Sequence, residues 1–268
     1  MDALTLGPEG TYSHRAASAV ADSVSFAESM TAIVDAVASG RHTRGVVPIE
    51  NSIEGSVTES LDALAAGQVA VLEEVIVPIR HALIAQSEAF ESVESHSQAL
   101  GQSREYLDRH YPDVDRDPVA STARSVERAR EDASIAAIAH PDNATDALQV
   151  LDTDIQDRDS NVTRFFVIGP SDDRRDAGSK STFVVDPGVD HPGLLLELLE
   201  PFADRDINLT RLESRPSGRE LGDYVFHVDV EAGLNEDRTR DALAEIEALA
   251  SDGWVRHLGS YDTRRLDE

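Results

Sequence analysis

The sequence of 268 residues contains no cysteine, and among its 24 basic residues only Lys180 is a lysine. Without thiols it can hold no disulfide framework, no thiolate metal site and no cysteine nucleophile. Aromatic residues make up 5%, and the single tryptophan, Trp254, precedes the last apolar stretch, where a core or interface position is expected. No run of about 18 apolar residues occurs, so no membrane-spanning helix is predicted. The opening Met1–Gly7 lacks the basic and apolar regions of a secretory signal, and a soluble, cytoplasmic protein is expected. Positive charge is scarce: 51 acidic residues against 24 basic ones leave a formal charge of -27. Such a surface repels nucleic acid and anionic membranes, both of which need basic patches. The acids are spread along the chain and are not collected in a tail. That pattern fits a halophilic surface, where screening removes the cost of self-repulsion, and predicts loss of structure in low salt. An acidic partner-binding surface is the alternative. The histidines His14, His81, His96, His140, His191 and His227 show no HExxH or related spacing, so no metal site is expected.

Apolar residues, at 40%, suffice to bury real cores, and the length suits two domains, or a bilobal domain with a small one. Strands are predicted at Ala3–Leu6, Gly45–Pro48, Val69–Val77, Ala82–Ala85, Ile135–Ala139 and Phe165–Gly169. Helical patterns lie between them at Ser13–Ala21, Thr31–Ala38, Val57–Ala65, Gln98–Arg109, Ala123–Arg130 and Asn143–Leu148. The alternation predicts an α/β fold around a largely parallel sheet. The polar stretch Pro170–Gly178 reads as a linker. After it the order changes to strand (Ser181–Val185), helix (Gly193–Asp204), strands (Ile207–Arg215 and Tyr224–Val230), helix (Thr239–Ser251) and strand (Val255–Tyr261). This βαββαβ order is that of a ferredoxin-like unit. No internal repeat or low-complexity tract interrupts it.

Three junctions between apolar strands and polar turns are candidates for chemistry. Gly7-Pro8-Glu9-Gly10-Thr11-Tyr12-Ser13-His14 leads from a strand into a helix, where glycines admit a ligand and helix-terminal amides favour an anion. An ordinary tight turn capped by Thr11 or Ser13 explains the same residues. The missing Gly-Lys-Ser/Thr ending excludes a phosphate-binding P-loop. In Val46–Gly55, Asn51 and Ser52 follow a buried strand, at the crevice end where open α/β sheets bind ligands. In the segment from Asp159 to Ile168, Asn161 offers an amide, Thr163 a hydroxyl and Arg164 the fixed charge a carboxylate seeks. Capping and loop solvation are the plain alternatives for both.

Together these segments resemble the prephenate dehydratase family. The likeness rests on Gly7–Ser13, on Pro48-Ile49-Glu50-Asn51-Ser52-Ile53-Glu54-Gly55 and on Asn161-Val162-Thr163-Arg164-Phe165. His96-Ser97-Gln98-Ala99-Leu100 stands where the family has His-Pro-Gln-Ala-Leu. The second domain resembles an ACT domain, with Ile207–Pro216 containing the Glu-Ser-Arg-Pro signature at Glu213, Ser214, Arg215 and Pro216. The resemblance covers essentially the whole chain. It implies a catalytic domain over residues 1–175 built like a periplasmic binding protein, with lobe one at about 1–78 plus 160–175 and lobe two at about 79–159. An ACT domain would follow over 179–268.

The reaction so implied is loss of water and carbon dioxide from prephenate to give phenylpyruvate, within phenylalanine biosynthesis. The new aromatic ring takes up the electrons released by decarboxylation, so no cofactor is required, and the sequence offers no cofactor motif. The resemblance assigns proton donation to Thr163, with Arg164 and Phe165 beside it. Substrate contacts fall to Thr11, Glu50, Asn51, Ser52, Gln98, Ser121, Thr122 and Asn161. L-Phenylalanine would bind between ACT domains of a homodimer or homotetramer, at Gly193, Leu194, Leu195, Asn208, Leu209, Glu213, Ser214, Arg215 and Pro216. The sequence departs from the family at Leu194 (alanine), Ser97 (proline), Ser103 (often cysteine) and Asp146-Ala147-Leu148 (Tyr-Gly-Leu). The dehydratase motifs begin at residue 7, so a fused chorismate mutase domain is not expected. Arogenate turnover and a non-catalytic aromatic amino-acid sensor are the rival readings.

Overall fold

The computed structural model describes residues 1–145, 147–158 and 160–266; Asp146 and Asp159, each part of a segment singled out in the sequence, lie outside them. Three sheets organise the chain. The first contains β1 (Asp2–Leu6), β2 (Ser23–Ala27), β3 (Gly45–Asn51), β4 (Gly55–Ser56), β5 (Val69–Pro78), β11 (Val162–Pro170) and β16 (Thr263–Arg265). Its order is β16-β5-β11-β3-β1-β2, with β4 paired to β3. Helices α1 (Tyr12–Ser18), α2 (Met30–Ala38) and α3 (Thr58–Ala66) belong to this unit. The sheet is mixed and not largely parallel. β1 runs parallel to β2 and β3, whereas β11 is antiparallel to both β3 and β5. The cause is topological: β5 carries the chain out to the second sheet and β11 brings it back alongside, so the two must run in opposite directions.

The second sheet holds β6 (Ala82–Ala85), β7 (Ser92–Ser95), β8 (Asp115–Pro118), β9 (Ile135–Ala139) and β10 (Gln149–Asp152), in the order β10-β6-β9-β7-β8. Its helices are α4 (Ser97–Gln102), α5 (Arg104–His110) and α6 (Thr122–Glu131). The single helix expected over Gln98–Arg109 is broken at Ser103, whose φ of -117° and ψ of 18° leave the helical range. Of the helix expected over Asn143–Leu148, Asp146 lies outside the described residues; Asn143 ends a 3₁₀ turn at Pro141–Asn143, and Ala144, Thr145, Ala147 and Leu148 are not helical. Six residues beside a proline are too few to nucleate a helix without a packed apolar face. Strands β2, β4, β7, β8, β10 and β16 were not legible in the sequence. Most are short, and several are edge strands; β8 reads Asp-Arg-Asp-Pro, with the charge and proline typical of a blunted edge.

The third sheet follows the strand–helix order read from the sequence. It comprises β12 (Lys180–Asp186), α7 (Leu194–Ala203), β13 (Leu209–Pro216), β14 (Tyr224–Val230), α8 (Asp237–Leu249) and β15 (Trp254–Tyr261), with sheet order β13-β14-β12-β15. Phe183, Leu198, Phe202, Phe226, Ala242 and Ile246 build its core between the helices and one sheet face. The other face packs on the first unit. Val184, Val225, Leu258 and Tyr261 join one cluster with Val71 and Phe166. At this seam Gly259 has a φ of +149°, and a Cβ there would stand 2.2 Å from the Val71 carbonyl oxygen, so only glycine fits. The chain then returns to the first sheet, where β16 pairs parallel with β5. No helix among the described residues is long and apolar enough to cross a membrane.

Candidate active site

A cavity of about 350 Å³ opens between the first two sheets. The first unit contributes Thr11, Tyr12, Pro48, Asn51, Glu54, Thr163 and Phe165; the second contributes His81, His96, Gln98, Gln102, Ser121 and Thr122. Three helices begin at its wall. Thr11 caps α1, its hydroxyl accepting from the His14 amide at 3.2 Å. His96 caps α4, and Ser121 caps α6 by accepting from the Arg124 amide at 3.1 Å. Thr11 thus caps its helix, as the plain reading of that segment expected, and both Thr11 and Ser121 also line the cavity. Behind them Gly10 approaches the second unit closely, and the Asn143 amide donates to its carbonyl at 2.9 Å. With a φ of +82°, and Asn143 Oδ1 3.0 Å from where a Cβ would stand, this position suits glycine alone.

A directional hydrogen-bond chain runs along the cavity floor. Asn51 Oδ1 accepts from the amides of Ile53 (2.9 Å) and Glu54 (3.2 Å), which identifies its other terminal atom as nitrogen. That Nδ2 donates at 3.0 Å to Thr163 Oγ1 and at 3.0 Å to Asn161 Oδ1. Asn161 Nδ2 in turn donates at 2.9 Å to Gln102 Oε1. Gln102 Oε1 is therefore an acceptor, so His81, 2.8 Å away, donates through Nε2–H. Burial pulls the His81 pKa down, against the opposing pull of Gln102, which keeps the ring neutral. Because Thr163 Oγ1 accepts from Asn51, its own proton remains free to donate. The hydroxyl is polarised by one amide and half-buried at the cavity wall.

Strand periodicity separates the residues expected at the site. On β11, Thr163 and Phe165 line the cavity, while Arg164 and Phe166 point to the opposite face. Arg164 thus does not offer its charge to a ligand in the cavity, which corrects that expectation. Its guanidinium is buried at the seam with the third sheet, Nη1 2.6 Å from Asp229 and Nε 2.7 Å from Glu74. Burial opposes its charge, but Asp229, Tyr261 and Glu74 outweigh that effect and hold the pKa above the usual arginine value. Glu50 also turns from the cavity, toward Arg164 (3.8 Å) and Arg211 (3.9 Å). Ser52 bonds backbone, accepting from the Val162 amide at 3.0 Å and donating to the Ser160 carbonyl at 3.1 Å. Asn161 is buried below the floor and also borders an adjoining hollow of about 390 Å³ that contains Arg158. Tyr12, His81, His96, Gln102 and Glu54 line the cavity without having been singled out as site residues. Gln102 had a signal, four residues after Gln98 on one helical face.

The expected effector residues lie in the third unit. Gly193, with a φ of +97°, opens α7; Leu194 is buried and Leu195 is exposed. Asn208 bonds Glu231 at 2.9 Å. On edge strand β13, alternate side chains reach the first unit. Arg211 donates to Ser56 at 3.2 Å, Glu213 accepts from Ser56 at 2.8 Å, and Arg215 meets both Asp62 oxygens at 2.8 and 2.9 Å. Ser214 and Pro216, between and beyond them, are exposed. Leu209, the first residue of β13, is half-buried.

The family model described as prephenate dehydratase matches residues 3–173, and the ACT domain model matches residues 188–248. This chain belongs to the prephenate dehydratase family. It is 36% identical over 267 residues to the prephenate dehydratase of Methanocaldococcus jannaschii, covering 95% of each chain. It is 38% identical over 270 residues to the bifunctional chorismate mutase/prephenate dehydratase of Aquifex aeolicus, covering 98% of this chain and 74% of that one. Among solved structures it resembles the prephenate dehydratase of Arthrobacter aurescens in complex with L-Phe. The TM-score is 0.89 at 35% identity, covering 98% of this chain and 90% of that one. In family terms, the cavity lies wholly within the dehydratase match, and the strand carrying the Glu-Ser-Arg-Pro signature lies within the ACT match.

Proposed function

We propose that this chain is a prephenate dehydratase whose reaction centre is Thr163, oriented by Asn51, and whose ACT domain responds to L-phenylalanine. The observation that carries the reading is the Asn51 Nδ2–Thr163 Oγ1 hydrogen bond at the wall of the inter-sheet cavity. In the reaction the bond from the ring to its carboxylate breaks and carbon dioxide leaves. The electron pair moves through the ring, which becomes aromatic, and the carbon–oxygen bond at the opposite ring carbon breaks. The departing hydroxyl must gain a proton to leave as water, and Thr163 is the donor placed to interact with it. A threonine hydroxyl is a weak acid; the hydrogen bond it accepts from Asn51 and a partly dehydrated setting strengthen its donation. Phe165 offers an apolar surface to the ring.

The cavity wall has no lysine or arginine among the described residues. The two substrate carboxylates are then held by neutral donors: Gln98, Ser121 and Thr122, with the N-terminus of α6 adding a favourable dipole, whereas the Thr11 hydroxyl already donates to the Pro8 carbonyl at 2.9 Å. We read residues 1–78 with 160–175, and 79–159, as the two lobes of a periplasmic-binding-protein-like domain. Residues 179–268 are read as the ferredoxin-like ACT domain. L-Phenylalanine would bind near Gly193–Leu195 and β13, between ACT domains of a homodimer or homotetramer. The grip of Arg211, Glu213 and Arg215 on Ser56 and Asp62 gives β13 a direct path to the Asn51 turn. The acidic surface is read as an adaptation to concentrated salt. The test is phenylpyruvate formation from prephenate in molar salt. Thr163→Ala should lower kcat by at least about 100-fold while the fold is kept, and L-phenylalanine should change the wild-type rate. A folded wild type that forms no phenylpyruvate overturns the assignment.

A further inference from the structure

Among the described residues Glu54 is the only carboxylate lining the cavity, and it reaches across the cleft. It sits at the tip of the β3–β4 hairpin, just before Gly55, whose φ of +85° closes the turn. Its two oxygens meet two side-chain amides of α4. Gln98 Nε2 donates to Oε2, and Gln102 Nε2 donates to Oε1 at 3.3 Å. The orientation of Gln102 is set by its Oε1, which already accepts from Asn161 and His81, so its nitrogen must face Glu54. Two neutral N–H donors therefore converge on a carboxylate, in a cavity whose described lining holds no lysine or arginine to balance it, only the imidazoles of His81 and His96. An incoming dicarboxylate needs those donors and is repelled by the charge already on them.

We propose that Glu54 is a built-in carboxylate ligand that occupies Gln98 and Gln102 when substrate is absent and must be displaced for a substrate carboxylate to bind. It is a positioning residue: it bridges the two units across the cleft and sets the affinity for a dianion. The identity of that dianion rests on the dehydratase reading. Partial burial raises the Glu54 pKa against the pull of His96. The other charged groups of the adjoining hollow are Glu105, Asp157 and Arg158. As pH rises through the Glu54 titration the carboxylate charges and competition with substrate grows, so KM should rise. The same KM should fall as the group is neutralised.

The experiment uses the full chain in molar salt and measures phenylpyruvate formation over a range of prephenate and pH. Wild type is compared with Glu54→Gln and Glu54→Ala. Prephenate binding is measured calorimetrically in the Thr163→Ala background with and without Glu54→Gln. Both Glu54 variants should lower KM by about five- to tenfold with kcat changed less than about twofold. The calorimetric Kd should fall likewise, and the KM–pH trace should flatten. A merely structural Glu54 would alter stability or kcat and leave the pH trace intact. An unchanged or higher KM in the variants overturns the proposal. A higher KM would mean that Glu54 contacts the substrate itself, as it would the ammonium group of an amino-bearing substrate. A wild type that neither binds nor turns over prephenate removes the dehydratase reading and this inference together. Normal turnover with no fall in KM removes the inference alone.

Discussion

One side-chain amide decides what the Thr163 hydroxyl can do. Asn51 closes its own turn through Oδ1, which leaves Nδ2 committed to Thr163 and Asn161. Substituting Asn51→Ala removes all four bonds at once. The Thr163 hydroxyl would then be free to rotate and would lose its polarising donor. The expected outcome is a kcat lowered by about 10- to 100-fold with KM changed much less, since the loss is felt at the departing hydroxyl. Steady-state kinetics of phenylpyruvate formation check it. That Asn51 and Thr163 face a cavity was legible in the sequence, because polar residues directly at the ends of buried strands are exposed to a crevice. The directional chain through Asn161, Gln102 and His81 was not legible, because its members are separated by up to 80 positions and meet only after both units fold.

At the scale of the element, β11 does two jobs through its period of two. One face presents Thr163 and Phe165 to the cavity; the other sends Arg164 to the seam with the third sheet. There Arg164, Arg211 and Lys180 meet Asp229, Glu74 and Glu50 in a balanced cluster, with Thr182 bonding Asp229 at 2.7 Å. Asp229 and Glu74 have no significant solvent access. Burial alone would raise the Asp229 pKa, but Arg164 and Arg211 reverse this and hold it below the ordinary carboxylate value. Arg164→Met would leave the cluster one positive charge short, with buried Asp229 facing only Arg211 and buried Glu74 only Lys180. It should destabilise the protein by about 3–5 kcal/mol, because removing one partner leaves uncompensated buried charge. Denaturant unfolding in molar salt measures this. An arginine that precedes a buried strand after a polar turn reads equally well as a ligand for substrate. Only its partners, Asp229 on a strand 65 residues later and Glu74 on the earlier β5, reveal the structural role.

At the scale of the molecule, three histidines besides His81 are held neutral inside the fold. Burial is the main cause for His140, His227 and His257, each pulled down to about 4; Arg15, Arg211 and Arg174 respectively add to the effect. In the unfolded chain they titrate near the usual value of about 6.5. Between about 6.5 and about 4 the unfolded state therefore binds protons that the native state refuses, and stability falls as pH falls through that window. The slope is at most about 1.4 kcal/mol per pH unit for each of His227 and His257, and less for His140, which is more solvent-exposed. Thermal unfolding as a function of pH, at constant high salt so that self-repulsion of the acidic surface stays screened, should show Tm decreasing over this range. A Tm that is flat or rising from neutrality to pH 4 would mean these rings are protonated in the native state.

The sequence by itself determined the existence and order of the strongly apolar strands, the βαββαβ order of the last 85 or so residues, and the motif residues of the family. Those features are local: hydrophobic runs, helical spacing and turn chemistry act between near neighbours. Tertiary structure decided the rest. It made the first sheet mixed, because the outgoing and returning strands lie side by side. It broke the helix at Ser103 and recruited β8 and β16 as short strands whose pairing partners, not their propensities, define them. It turned Arg164 and Glu50 away from the cavity and brought Glu54, Gln102 and His81 into it. Which face a side chain occupies depends on strand register and on which surface packs behind it, and both are properties of contacts between residues distant in the chain.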